Sequence, residues 1–310
     1  MEKKQYEGLD ITVFEEVLNN GLRVYLCKLP LDETYAKMTV STGLAVNKFT
    51  FDGKEYEVSP HTAHFLEHIL FNKEDGDLSY NFLKNSSQYN ATTSLDETKY
   101  WFLGYNNFYD NLKTLLRIVS EPFFTEEGIS KEKEYIQTEI KGKLIQIAYK
   151  EKIQNLENLS FDYAMMKIYL SKKLSVLSNL KDITEKDDNY ITPYVYYSLD
   201  VMDGYYVIQN YVKVKEEKDA ASILTADLQN KKITRDDFEL LKKYQIISLL
   251  KKLDYPVKIG DLITSQIKLY KKPLYNIYMI YKNLKYEDFL DYINNLSFAN
   301  KSVIVYEKEI

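Results

Sequence analysis

The chain has 310 residues, 45% of them hydrophobic, and 41 Lys and Arg against 46 Asp and Glu give a net charge of -5. That apolar share is enough to bury a core, so a disordered chain is excluded and a soluble globular protein is expected. The lysines are scattered among acids and only Arg23, Arg117 and Arg235 carry guanidinium groups, so no basic stripe forms and nucleic-acid binding is not expected.

Met1-Glu2-Lys3-Lys4-Gln5-Tyr6-Glu7 lacks an apolar leader segment, and no stretch approaches the roughly 20 apolar residues of a membrane span. A cytoplasmic protein is the expectation. The single cysteine, Cys27, sits in the alternating run Leu22 to Cys27, reads as a strand residue and takes no catalytic role. The 29 tyrosines look like a compositional bias. Lysine pairs such as Lys172-Lys173 and Lys242-Lys243 read as solvated helix faces.

In chain order, Asn19-Asn20-Gly21 signals a hairpin between strands Val13 to Val17 and Leu22 to Leu26, and Lys37 to Gly43 reads as the next strand. Then come a histidine-bearing helix, a helix around Ser79 to Leu83, and a hairpin from Asn90 to Leu103. An amphipathic helix from Tyr109 to Val119 places Leu112, Leu115, Leu116 and Val119 on one face, and Glu121-Pro122 stops it. A further helix enters at Thr125 to Ser130 with Ser130 as cap, and helical pattern is read past Ile147 to about Leu180. Beyond Ile191, Asp203-Gly204 marks a hairpin between Tyr194 to Ser198 and Tyr205 to Gln209. A helix capped by Thr234 runs through Leu250, with Pro256 ending it, and Ser302 to Tyr306 closes as a strand. Strands grouped with helices, not alternating with them, predict an α+β layer fold: mixed or antiparallel sheet packed on helices.

The chemistry concentrates in eight residues. All three histidines fall in His61-Thr62-Ala63-His64-Phe65-Leu66-Glu67-His68, the last five reading H-x-x-E-H. On a helix, residues four apart share a face, so His64 and His68 can offer two imidazoles to one metal ion, with Glu67 within reach of the same space. Two imidazoles and a carboxylate that takes a proton from an attacking water suit zinc hydrolysis, with a third ligand still to be found. The plainer alternative is a chance match with ordinary helix histidines, but three histidines within about two turns is a rare use of so few. Downstream, Glu132 and Glu139 are seven residues apart, close to two turns, and share one helix face. That pair suggests one ligand and one supporting carboxylate.

This arrangement resembles the pitrilysin/insulinase family of inverzincin metallopeptidases, which includes the mitochondrial processing peptidase. There H-x-x-E-H is followed on a later helix by E-x-x-x-[IV]-x-x-E, matched here by Glu132-Lys133-Glu134-Tyr135-Ile136-Gln137-Thr138-Glu139. The resemblance implies zinc ligands His64, His68 and Glu139, general base Glu67, and Glu132 as a carboxylate behind a ligand. Asn90-Ala91-Thr92-Thr93-Ser94 and Thr98-Lys99-Tyr100 are similar to the family stretch whose edge strand pairs with extended substrate, which makes Asn90, Ala91 and Thr92 the candidate substrate-binding residues, although an ordinary hairpin would show the same alternation. Phe71-Asn72-Lys73-Glu74-Asp75-Gly76-Asp77 resembles the turn of a bacterial processing-peptidase-like branch whose members often work as paired subunits.

The resemblance further implies a zinc-binding metallopeptidase domain over 1–188 and a shortened second α+β domain over 189–310. Family subunits carry two similar domains, but the stretch from Lys186 to Tyr194 is too short to hold the end of one and the start of the next. The family's substrate-gripping arginine also has no counterpart, because no arginine lies between Arg117 and Arg235. The expected function is therefore a zinc endopeptidase subunit that acts on peptides or precursor leaders bound as an added strand, with a homologous subunit supplying the arginine-tyrosine clamp. A noncatalytic or degenerate partner subunit is the alternative. A module using zinc only as a staple is disfavoured, since three protein ligands leave an open position.

Overall fold

The computed structural model describes residues 1–44, 47–59, 61–94, 96–139, 143–174, 196–215 and 228–306. It divides into two compact units: one comprises residues 1–28, 141–252 and 265–310, the other 29–140 and 253–264. The first unit is thus assembled from distant parts of the chain. The division expected at 188/189 lies outside the described residues.

In the unit that carries the histidines, β4 (Thr34–Val40), β9 (Gln88–Thr93) and β10 (Thr98–Gly104) form an antiparallel sheet in the order β4-β10-β9, so β9 is an edge strand. Alternation puts Thr98, Tyr100, Phe102 and Gly104 of the central strand on the buried side. Tyr100 and Phe102 pack with Leu78, Phe82, Leu115 and Ile118 of the covering helices, and Ala36, Met38, Tyr89 and Ala91 line the same core. Those helices are α2 (Ser79–Lys84) and α3 (Phe108–Ser120). The buried stripe of α3 is Asn111, Thr114, Leu115 and Ile118. Leu116, expected on that face, is 39% exposed, because the stripe recurs at three- and four-residue steps that pass it by.

Two short hairpins flank the histidine helix: β5 (Lys48–Phe51) with β6 (Lys54–Glu57), and β7 (Asn72–Lys73) with β8 (Gly76–Asp77). The second is fastened to α3 by Arg117, which donates to both Asp75 carboxylate oxygens at 3.1 and 3.2 Å and to Glu121 at 2.9 Å.

In the other unit, β1 (Glu2–Gln5), β2 (Thr12–Val17) and β3 (Arg23–Lys28) form a meander whose second turn is made by Gly21 at φ +84°, as expected. A four-stranded sheet has the order β12-β13-β11-β14, from β11 (Lys143–Lys152), β12 (Tyr196–Met202), β13 (Tyr205–Val214) and β14 (Asn300–Tyr306). Here the expectation of continuous helix past Ile147 is corrected. Ile145, Ile147, Tyr149 and Glu151 are buried at every second position, with Gln146 covered as well, and pairing with β13 on one side and β14 on the other makes residues 143–152 a central strand. Helix resumes as α5 (Leu159–Lys173). The Asp203-Gly204 turn has φ of +50° and +80°, the left-handed pair a two-residue hairpin requires.

Helix α6 (Arg235–Lys252) starts as expected, with Thr234 Oγ1 accepting the Asp237 N–H at 3.1 Å while Asp237 Oδ2 accepts the Thr234 N–H at 3.2 Å. Pro256 does not end that helix but opens the next one, α7 (Pro256–Tyr270), where its missing N–H costs nothing. Helices α8 (Ile277–Asn283) and α9 (Tyr286–Asn294) follow. Lys242, expected to be merely solvated, donates to the Leu284 carbonyl at 3.0 Å. Among the described residues no helix is long and apolar enough to cross a membrane.

Candidate metal centre

The H-x-x-E-H residues lie on α1 (Thr62–Ile69), and Glu132 and Glu139 on α4 (Glu126–Glu139), which packs against it. Helix α4 starts one turn earlier than expected. Thr125, not Ser130, is its cap, accepting the Gly128 N–H on Oγ1 at 3.0 Å. The C-terminal end of α1 is held by Lys73, whose ammonium donates to the Leu70 carbonyl at 2.6 Å and to Ile118 O at the end of α3 at 3.4 Å, a cation placed where two helix dipoles are negative.

On that fixed helix, His64 and His68 stand one above the other, ring centroids 4.7 Å apart and planes at 89°. Their Nε2 atoms are 3.2 Å apart. Two ligands held 2.0–2.1 Å from one tetrahedral zinc ion stand roughly 3.3 Å from each other, so the imidazole pair fits a shared ion. Behind it, the Glu132 carboxylate meets His68 Nδ1 at 2.9 Å. A carboxylate there accepts a hydrogen bond from Nδ1–H, which fixes the ring's tautomer and leaves Nε2 as the ligating nitrogen. Tyr135, one turn along α4, sets its ring 5.9 Å from that of His68.

Glu67, on the same helix, is only 8% exposed. Its Oε2 accepts a hydrogen bond from Thr93 Oγ1 at 2.5 Å, at the end of edge strand β9. Burial, with the Glu67 charge adding to it, pushes the Tyr100 phenol well above its ordinary value, so it stays neutral beside the carboxylate. Thr93 escaped assignment from sequence, although it stands in the quoted Asn90 to Ser94 stretch. Its only sequence signal was that position.

Asn90 and Thr92 are exposed on β9, whereas Ala91 turns its methyl toward the core. Asn90 Oδ1 accepts the Ala91 N–H at 2.9 Å. His61 is exposed and precedes the helix, with its carbonyl accepting the Phe65 N–H at 2.9 Å. Glu139 is the last residue of α4, two turns from Glu132, and its side chain lies outside the described residues. Among the described residues no group of three metal-ligating side chains is complete. The structure therefore brings His64, His68 and Glu132 together, with Glu67 on the same helix and bonded to Thr93.

Residues 53–159 match the family profile described as Insulinase (Peptidase family M16), a span that contains every residue of the site. The zinc protease YmfH of Bacillus subtilis is 42% identical over 139 residues, which are 44% of this chain and 32% of that protein. The match therefore spans about a third of that relative's length. The fold resembles that of an M16-like peptidase from Alicyclobacillus acidocaldarius, with a TM-score of 0.73 at 15% identity over 96% of this chain and 98% of that one. It also resembles the periplasmic protease PqqL from Escherichia coli, with a TM-score of 0.57 at 12% identity over 98% of this chain and 46% of that one. These findings support membership of the pitrilysin/insulinase-type peptidase family.

Proposed function

We propose that the chain is a zinc-dependent endopeptidase subunit that hydrolyses peptides or precursor leaders laid along β9 as an added strand. The observation that carries this reading is the convergence of two imidazole Nε2 atoms at 3.2 Å, one of them backed by Glu132. Zinc held by His64, His68 and Glu139 would polarise the scissile carbonyl and make the attacking water more acidic. Glu67 takes the water's proton and returns it to the leaving amine. Asn90, Ala91 and Thr92 supply the main-chain edge on which a peptide pairs, and the Asn90 amide that caps the Ala91 N–H gives way to the peptide carbonyl.

A homologous subunit completes the site by supplying the arginine-tyrosine clamp, since residues 118–234 contain no arginine. The same observation supports the second reading, a noncatalytic partner. Zinc analysis together with peptide cleavage by this chain alone and mixed with a homologue from its host tests both. Zinc binding with turnover in the mixture supports the paired enzyme. Zinc-free protein that never adds activity supports the noncatalytic reading, and full turnover by the isolated chain removes the need for a second subunit.

A further inference from the structure

We propose that Thr93 is a positioning residue for the peptidase reaction: its hydroxyl holds the Glu67 carboxylate, so that a peptide pairing with β9 also orders the base. This rests on the peptidase reading above. The hydrogen-bond arithmetic assigns the proton. Thr98 Oγ1 donates its single hydrogen to the Thr42 carbonyl at 2.8 Å. At 3.4 Å from Thr93 Oγ1, Thr98 can then only accept, and weakly. The Thr93 hydroxyl hydrogen has one strong acceptor, the Glu67 Oε2 2.5 Å away, and an ionised carboxylate only accepts. Such a short O–H to carboxylate bond is the charge-assisted kind, roughly twice as strong as a neutral one.

Burial makes the bond consequential. At 8% exposure the Glu67 carboxylate has largely given up water, so its placement depends on the donors the protein supplies, and Thr93 is one of them. The donor comes from the residue that directly follows Asn90-Ala91-Thr92 on the same strand. A peptide that adds itself to the β9 edge restrains that strand, and through Thr93 it restrains the carboxylate that must accept the proton. Docking and proton transfer are thereby coupled through one side chain, which belongs to neither the metal nor the substrate.

The test compares wild type, Thr93→Val and Thr93→Ser as full chains, with the homologous subunit added where wild type requires it. Valine keeps the shape and removes the donor. Thr93→Val is expected to fold with wild-type zinc content and a KM within about twofold, and to lose roughly 10- to 100-fold in kcat, the cost of a misplaced reacting group. Thr93→Ser restores most of that loss. If valine at this position prevents folding, Thr93→Ala carries the same expectations. Wild-type kcat in the valine variant overturns the proposal, as does a serine variant as impaired as valine, which marks a purely structural role. If no wild-type preparation cleaves any peptide, the peptidase reading fails, and crystal structures of wild type and Thr93→Val decide the positioning role by themselves. A Glu67 carboxylate that swings away from β9 sustains it, and an unmoved one overturns it.

Discussion

The Glu132 carboxylate and His68 Nδ1 lie 2.9 Å apart, joining two helices whose residues are 64 positions distant in the chain. A carboxylate in that place does not ligate metal; it selects which imidazole nitrogen can.

Purified protein is expected to carry about one zinc per chain, and His68→Ala to lose most of it, because one of the ligands is removed. Glu132→Gln should weaken zinc binding by about 10- to 100-fold, the usual cost of losing the hydrogen bond behind a ligand. Metal analysis after dialysis against a graded chelator separates the variants. Full zinc retention by His68→Ala would contradict the assignment.

Glu67→Gln preserves the shape of the side chain and removes the base. It should keep its zinc and lose at least ~10² in turnover, the contribution of general base catalysis. Steady-state kinetics on a preparation cleared of contaminating protease checks this, and normal turnover in that variant would sink the proposed role.

Much of this was legible in sequence where the physics is local. Gly21 and the pair Asp203-Gly204 announce their hairpins because positive φ is cheap there, and the spacing of His64 and His68 fixes a common helix face whatever surrounds it. Contacts between elements were not. Nothing in the spacing of Thr93 connects it with Glu67, 26 residues earlier. Residues 143–152 read as helix in sequence because Lys150, Glu151 and Lys152 end the segment with charges that suit one. Their strand pairing with β13 and β14 comes from residues at least 53 positions away, and it overrides the local preference. Helix α7 is hidden in sequence for a simpler reason: Pro256 reads as a stop, but at a first helical position it is a start.

Stability should depend on pH through Asp162. Its carboxylate, 1% exposed, accepts the Tyr206 hydroxyl at 2.6 Å, the Tyr292 hydroxyl at 3.1 Å and the Asn155 N–H at 3.1 Å. Burial raises its pKa above the ordinary 3.8, outweighing these hydrogen bonds, which act to lower it. A carboxylate raised on folding contributes stability that is complete below the unfolded value and is lost as pH rises through the folded one. In Asp162→Asn the amide cannot accept the Asn155 N–H with its nitrogen, so a constant penalty is expected, but the pH-dependent part disappears. Thermal unfolding of both proteins from about pH 4 to about pH 8 should show the gap between them narrowing as pH rises, because only wild type loses stability. A gap that widens with pH would mean that the native state prefers the ionised form.

Gly43 is buried where the chain leaves β4, and a Cβ built on it would lie 2.5 Å from Asp96 N, 2.6 Å from Glu97 N and closer still to Ser94 O. All three are main-chain atoms of the β9 to β10 turn, so no side-chain rotation relieves the contact and the turn itself must move. That turn begins one residue after Thr93, the donor to Glu67. Gly43→Ala is therefore expected to destabilise the protein by roughly 1–3 kcal/mol, as for other forced insertions into packed sites, and to lower turnover as well. Zinc binding should survive, because His64 and His68 are carried by α1 and not by the turn. Denaturant unfolding, zinc content and kcat measured on the same preparation check the three parts together. Unchanged stability with unchanged kcat would show that the turn yields without disturbing the base. Loss of zinc in step with stability would show that the variant damages the fold as a whole and not the β9 end of the site.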